Sequence, residues 1–60
     1  MTDVRVVVAD DEPLVRRGLG AFIAAEKDLT LVGEARNGPE AVDLIRAERP
    51  DLVFLDVQMP

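Results

Sequence analysis

Two short apolar runs in this sequence each lead directly into acidic residues. Residues 4–9 consist mostly of β-branched valine and precede three acids at positions 10–12, while residues 52–55 precede Asp56. Runs of this length and composition are typical of strands that are covered on both faces of a parallel sheet. All strands of a parallel sheet end at the same edge, and ligands bind there. If the two strands are neighbours, we expect their acids to meet at that edge.

Two segments between these runs show the apolar periodicity of helices. We expect one helix over residues 13–26 and another over residues 39–48, each opening with a proline, which the first turn of a helix tolerates. Gly18 and Gly20 weaken the first helix, so we expect them at sites of close packing. The side chains expected to face the core are Val15, Leu19, Phe22 and Ile23 in the first helix and Ala41, Val42, Leu44 and Ile45 in the second.

Residues 29–35 predict a further strand. Thr30 and Glu34 make this segment less apolar than the other two, which favours a position at the edge of the sheet. Residues 36–38 have the composition of a simple turn. The predicted order is therefore β-α-β-α-β, an α/β fold in which each helix crosses right-handedly between parallel strands.

Composition excludes several classes of site. The 60-residue chain contains no cysteine and no histidine, so disulfides, thiolate zinc sites and imidazole ligands are ruled out. A net charge of −5 offers no basic surface for direct binding to a nucleic acid. No apolar run reaches the ~20 residues of a membrane span, and the N-terminus lacks a signal-peptide pattern. We therefore expect a cytoplasmic protein that does not contact a membrane.

The acidic residues predict a particular chemistry if they converge. Close carboxylates repel one another, and a divalent cation is the simplest compensation. A set of oxygen ligands selects a hard ion, so we expect Mg²⁺, with Mn²⁺ as the alternative. A carboxylate beside such an ion can attack a phosphoryl group and form an aspartyl phosphate.

The sequence resembles the receiver domain of bacterial two-component response regulators. The resemblance spans the whole chain, and its acidic motifs keep the family's spacing. It rests on residues 6–13 (VVVADDEP), 32–38 (VGEARNG), 41–42 (AV) and 49–60 (RPDLVFLDVQMP). It implies the N-terminal β-α-β-α-β half of a flavodoxin-like parallel sheet with strand order 2-1-3-4-5.

The resemblance also implies a role for each acidic residue. Asp56 would be the phosphoacceptor and also a Mg²⁺ ligand. Asp11 would ligate Mg²⁺ directly, Asp10 would hold it through water, and Gln58 would supply its backbone carbonyl. The donor would be a phosphohistidine on a sensor histidine kinase. The sequence of this segment is most similar to receiver domains that are attached to DNA-binding output domains of the LytTR or helix-turn-helix type. DNA would be reached only through that output domain. Such a chain is a self-phosphorylating switch and not a conventional enzyme.

The chain departs from the family by its length. A family receiver continues for roughly as many residues again, and it places a switch Ser/Thr and a Lys on later strands. We therefore expect residues 1–60 to form a partial receiver domain that ends after its third strand and lacks the switch Ser/Thr and the Lys, which read out phosphorylation. The third strand would then be an open, apolar edge that favours self-association.

Other interpretations remain open for the same residues. The acids at 10–12 also suit the N-terminus of a helix without any metal. A nucleotide-binding βαβ unit is disfavoured because the first turn lacks Gly-x-Gly-x-x-Gly. A phosphoaspartyl hydrolase is disfavoured by Gln58, which stands where a second acid is usual. A degenerate receiver that only binds other proteins is the remaining alternative. Arg16 and Arg17 are expected on a solvated helix face.

Overall fold

The five predicted elements are present in the predicted order. The computed structural model describes residues 3–56. It contains β1 (Val4–Asp10), α1 (Pro13–Ala25), β2 (Leu29–Ala35), α2 (Gly38–Glu48) and β3 (Leu52–Asp56). The strands form a parallel sheet in the order β2-β1-β3, so β2 lies at an edge as expected. The boundaries agree with the sequence patterns to within one residue.

The central strand β1 is the most buried element of the described chain. Its residues from Val6 to Asp10 are all buried, because β2 and β3 flank it and a helix packs on each face. On one face, Val6 and Val8 pack against Ile23 of α1, and on the other Ala9 packs against Ala41 of α2. Each buried valine or isoleucine stabilises the fold by about 1.5–3 kcal/mol relative to exposure.

A bulge in β2 changes which face its side chains occupy. Val6 pairs with Leu31, but Val7 pairs with Gly33, so Val32 is an extra residue that has no partner on β1. Side chains of a strand normally alternate between the two faces, and a single extra residue reverses that alternation. Leu31 accordingly packs on the α1 side, whereas Ala35, four residues on, packs on the α2 side.

The helices bury a narrower stripe than the sequence predicts. Val15 and Phe22 of α1 are exposed, Phe22 at 62%, and so are Val42 and Ile45 of α2. Both helices pack over β1 and β2, and within residues 3–56 neither contacts β3. The far side of each apolar stripe therefore has no covering element among the described residues, and Leu55 of β3 is 63% exposed for the same reason.

The residues at 36–38 form a helix cap and not a simple turn. The Asn37 side chain caps α2, since its Oδ1 accepts a hydrogen bond of 2.9 Å from the backbone N–H of Glu40. Glu40 in turn accepts hydrogen bonds from the backbone N–H of Arg36 at 2.9 Å and from the Arg36 guanidinium at 2.7 Å. The reciprocal bonds satisfy amide groups at the helix start that would otherwise lack partners.

The expectation about the α1 glycines is half right. A Cβ at Gly18 would meet nothing within 4 Å, so this position is not a packing site. A Cβ at Gly20 would lie 3.3 Å from Oε2 of Glu34 and 3.4 Å from Leu31, which is close packing. Gly33 in β2 is tighter still, because its Cβ would come within 2.9 Å of Leu44 on α2.

Opposite effects on stability are expected from alanine at two of these positions. Gly18→Ala should raise the free energy of unfolding by about 0.5–1 kcal/mol, because it improves helix propensity without a clash. Gly33→Ala should lower it by about 1–3 kcal/mol through overpacking against Leu44. Urea denaturation of both variants measures the two changes. A stabilised Gly33→Ala variant would show that α2 does not pack on β2 as described.

The Glu40 carboxylate should make stability depend on pH. Hydrogen bonds from the Arg36 side chain, and then from its backbone N–H, lower the pKa of Glu40. A lowered folded-state pKa gives stability that is present above the unfolded pKa of about 4.3 and is lost as the pH falls through the folded value. Glu40→Gln should therefore be less stable than wild type at pH 7, and the difference should vanish in acid. Denaturant curves at several pH values test this, and a difference that stays constant below pH 4 or so would contradict it.

Candidate functional site

The acidic ends of the adjacent strands β1 and β3 lie side by side. β1 and β3 are neighbours, and Asp10 pairs with Asp56 in the parallel register. Adjacent strands are about 4.8 Å apart, and paired residues project from the same face of a sheet. The sequence-based expectation that these strands adjoin is thus confirmed, and the two aspartates occupy the same edge.

A set of contacts at the opposite end of the strands fixes this register. The backbone N–H of Arg5 donates to Oδ2 of Asp51 at 2.9 Å, and the N–H of Asp51 donates to the Arg5 carbonyl at 2.8 Å. The Arg5 guanidinium also bonds the carbonyl of Glu48 and pairs with its carboxylate at 3.0 Å. These contacts join β1, the end of α2 and the start of β3, and in the resulting register Asp56 pairs with Asp10.

Asp10 is buried, and one of its carboxylate oxygens lacks a partner. The residue is 1% exposed. Its Oδ1 accepts a hydrogen bond of 2.8 Å from the N–H of Glu12, whereas no donor within residues 3–56 reaches its Oδ2. An unsatisfied buried oxygen on an ionised group costs free energy, and a bound cation removes that cost. The unpartnered Oδ2 of Asp10 is the feature of the structure that fits a metal ligand.

The other predicted ligands are arranged more openly. Asp11 and Asp56 are exposed, so solvent and a reaction partner can reach both. Within residues 3–56, no three acidic side chains lie close enough together to form a complete metal site. Gln58 lies outside the described residues. The donor set that remains is made of carboxylate oxygens, the type that Mg²⁺ prefers.

The acids at 10–12 do not act as ordinary helix caps. Glu12 occupies the cap position of α1, but its side chain makes no capping hydrogen bond, and the first turn of α1 holds no acidic residue. Carboxylates near a helix N-terminus are stabilised by the helix dipole even without a hydrogen bond, so the metal-free interpretation still applies to Glu12 and to Oδ1 of Asp10. The only carboxylate seen to bond that end of the described chain is Oδ1 of Asp10, which leaves Oδ2 unexplained.

Arg16 is part of the site and not of a solvated surface, which corrects the sequence-based expectation. Its side chain is 17% exposed. The guanidinium donates to the backbone carbonyl of Asp10 at 2.9 Å, and its Nε lies 3.6 Å from Oε1 of Glu34. Its position at the start of α1, six residues after Asp10, was the sequence signal for the first contact. The contact with Glu34 depends on the bulge at Val32, which the sequence pattern does not reveal.

The described part of the chain, residues 3–56, contains no helix long and apolar enough to cross a membrane.

Comparison with known proteins agrees with this geometry. Residues 6–60 match the response regulator receiver domain family. The chain belongs to this family, and its three-stranded sheet with two helices matches the corresponding part of the flavodoxin-like receiver fold.

Two of the similar proteins are much longer than this chain. The chain is 42% identical over 57 residues to the transcriptional regulatory protein BtsR of Escherichia coli K12, with 95% of this chain and 24% of BtsR covered. It is 51% identical over 57 residues to a protein-glutamate methylesterase/protein-glutamine glutaminase of Myxococcus xanthus, of which it covers 16%. The chain thus spans a quarter or less of the length of these two relatives.

A solved structure shows the same similarity in three dimensions. The crystal structure of the P1 domain of CheA3 in complex with CheY6 from R. sphaeroides matches with a TM-score of 0.89 and 34% identity. The match covers 100% of this chain and 47% of that chain. The shared architecture therefore extends over all five elements described above.

Replacing Asp10 by asparagine should stabilise the metal-free protein. Asparagine keeps the oxygen that accepts from Glu12 but removes the buried charge, so we expect unfolding in EDTA to cost about 1 kcal/mol more than in wild type. Stabilisation by added Mg²⁺ should disappear in the same variant, because a ligand stabilises only the state that it binds. Urea denaturation with EDTA and with Mg²⁺ measures both. A variant that is less stable in EDTA would mean that the buried charge of Asp10 costs less free energy than the unpaired amide N–H groups that replace it.

Proposed function

We propose that this chain is a phosphoacceptor receiver, which takes a phosphoryl group from a sensor histidine kinase onto Asp56 with Mg²⁺. The observation that carries the proposal is the buried Asp10 carboxylate, which has one unpartnered oxygen and lies in register with an exposed aspartate on the next strand. Membership of the receiver family supports the same assignment.

Each acidic residue has a separate task in this proposal. One oxygen of the Asp56 carboxylate attacks phosphorus while the bond from phosphorus to the donor's histidine nitrogen breaks, and the nitrogen keeps that electron pair. Asp56 suits this role because it is exposed at the end of β3. Asp10 and Asp11, with the backbone carbonyl of Gln58, would hold Mg²⁺. When bound, the ion neutralises charge on the transferred group.

The proposed donor is a histidine kinase. The resemblance implies such a partner, and the similar chain CheY6 is bound in its crystal structure to the P1 domain of CheA3. Arg16 is occupied by its contacts inside the site, whereas Arg17 is exposed on α1 and is available to a partner. A cytoplasmic location agrees with this partner and remains part of the proposal.

The proposed output is regulation of transcription. Relatives such as BtsR are transcriptional regulatory proteins, and DNA would be reached only through a separate output domain. The methylesterase relative shows that the same kind of segment also occurs in an enzyme, so the receiver itself does not specify the output. The exposed apolar side chains of β3 support self-association as a further proposal.

A second candidate is a receiver that acts only by binding other proteins. It is favoured by the lack of a complete three-acid metal site within residues 3–56. The two candidates differ in whether Asp56 becomes phosphorylated.

Phosphorylation should require Asp56. With acetyl phosphate and Mg²⁺, the purified protein should gain one phosphoryl group, and Asp56→Asn should abolish this because the amide is not a nucleophile. Asp43→Asn, an exposed acid on α2, is the matched control and should be phosphorylated normally. Intact-mass spectrometry measures incorporation. Normal incorporation into Asp56→Asn would reject the acceptor, and no incorporation into wild type would favour the binding-only candidate.

A further inference from the structure

Arg16 bonds the main chain of Asp10 but not its carboxylate. Its guanidinium donates to the main-chain carbonyl of Asp10 at 2.9 Å, yet Oδ2 of the same residue has no partner within residues 3–56. The arginine's ion-pair partner in the described chain is Glu34, at 3.6 Å. The Asp10 carboxylate therefore keeps a free oxygen, although the largely buried guanidinium of Arg16 bonds the main chain of the same residue. This arrangement needs an explanation.

We infer that Glu34 is a positioning residue, which draws the Arg16 guanidinium away from the Asp10 carboxylate and so leaves that carboxylate available to a divalent cation. The inference rests on the proposed function, because it concerns the same metal site. The two cations compete for one carboxylate, and a paired Arg16 would have to be displaced before a metal ion could bind. Glu34 removes this competition by binding the arginine first.

Two features of the backbone place Glu34 where it can do this. The bulge at Val32 reverses the alternation of β2, so Glu34 pairs with Val8 and its side chain lies on the α1 face. Gly20 then leaves room for its carboxylate, since a Cβ there would lie 3.3 Å from Oε2 of Glu34. Leu31, before the bulge, packs on the same face by the ordinary alternation.

Glu34 is one of two groups that hold Arg16. The Arg16 side chain is 17% exposed, and its guanidinium also donates to the main-chain carbonyl of Asp10 at 2.9 Å. In the proposed arrangement these two contacts together outweigh pairing with the carboxylate of Asp10. A hydrogen bond from arginine to a buried carboxylate is strong, so loss of the Glu34 contact should allow Arg16 to pair with Asp10.

Mg²⁺ binding to the purified protein, measured by calorimetry with the metal alone, tests the inference. Glu34→Gln should weaken Mg²⁺ affinity about tenfold, because the freed guanidinium occupies Asp10. In the Arg16→Gln background the same replacement should change affinity less than about twofold, since no competitor remains. Asp43→Asn removes an exposed carboxylate on α2 instead, and it should leave affinity within about twofold of wild type.

Two further measurements keep the test independent of the folding of one variant. Gly20→Ala should displace the Glu34 carboxylate and weaken Mg²⁺ binding in the same direction, whereas Gly18→Ala on the same helix should not. A crystal structure of Glu34→Gln grown without divalent metal should show an Arg16 nitrogen within hydrogen-bond distance of Asp10 Oδ2.

The outcomes separate this inference from the proposed function. If wild type binds Mg²⁺ and Glu34→Gln weakens it equally in both Arg16 backgrounds, the effect is simple charge removal and the positioning role is overturned. An unchanged affinity in Glu34→Gln overturns it as well. If wild type binds no Mg²⁺, the proposed function fails and the inference fails with it.

Discussion

The parallel pairing of β1 with β3 is the interaction on which the candidate site depends. It brings Asp10 and Asp56, which are far apart in the sequence, to the ends of adjacent strands at the same level. The backbone bonds between Arg5 and Asp51 set the register at the other end of the strands. Because strand register can change only in whole residues, a slip of one position would turn an aspartate to the opposite face. The chemistry of the acidic edge is therefore fixed by contacts at the far end of the sheet.

Burial of the apolar residues of β1 stabilises the fold, but burial of the carboxylate of its last residue, Asp10, costs free energy. The valines of this strand contribute favourably through contacts with both helices, but Asp10 continues the buried run with a carboxylate. A hydrophobic residue there would serve the fold better. A buried strand end that carries an unsatisfied acid is a local conflict of the kind expected at functional sites.

Local patterns were enough to predict most of the fold. The valine run, the prolines that open each helix and the apolar periodicity gave all five elements and their order, because these signals act within a few residues. The same patterns overestimated the buried faces of the helices: Phe22 belongs to an apolar stripe, but periodicity does not say what covers it. For the site, the adjacency of Asp10 and Asp56 followed from parallel topology. The role of Arg16 could not be predicted in this way. Its contact with Glu34 depends on the bulge at Val32, which the residue types in β2 do not indicate.

The bulge at Val32 determines which side chains of β2 lie on each face of the sheet. Val32 is a surplus residue, and everything after it in β2 is out of phase with everything before it. A regular strand that kept Val32 would pair Glu34 with Ala9, and it would place the Glu34 carboxylate among the alanines beneath α2 and turn Ala35 towards the α1 face. Loss of the codon for Val32 would instead leave Glu34 opposite Val8 and Ala35 opposite Ala9, so β2 can differ in length by one residue at this position without exchanging a charge for a methyl group between the two sides of the layer.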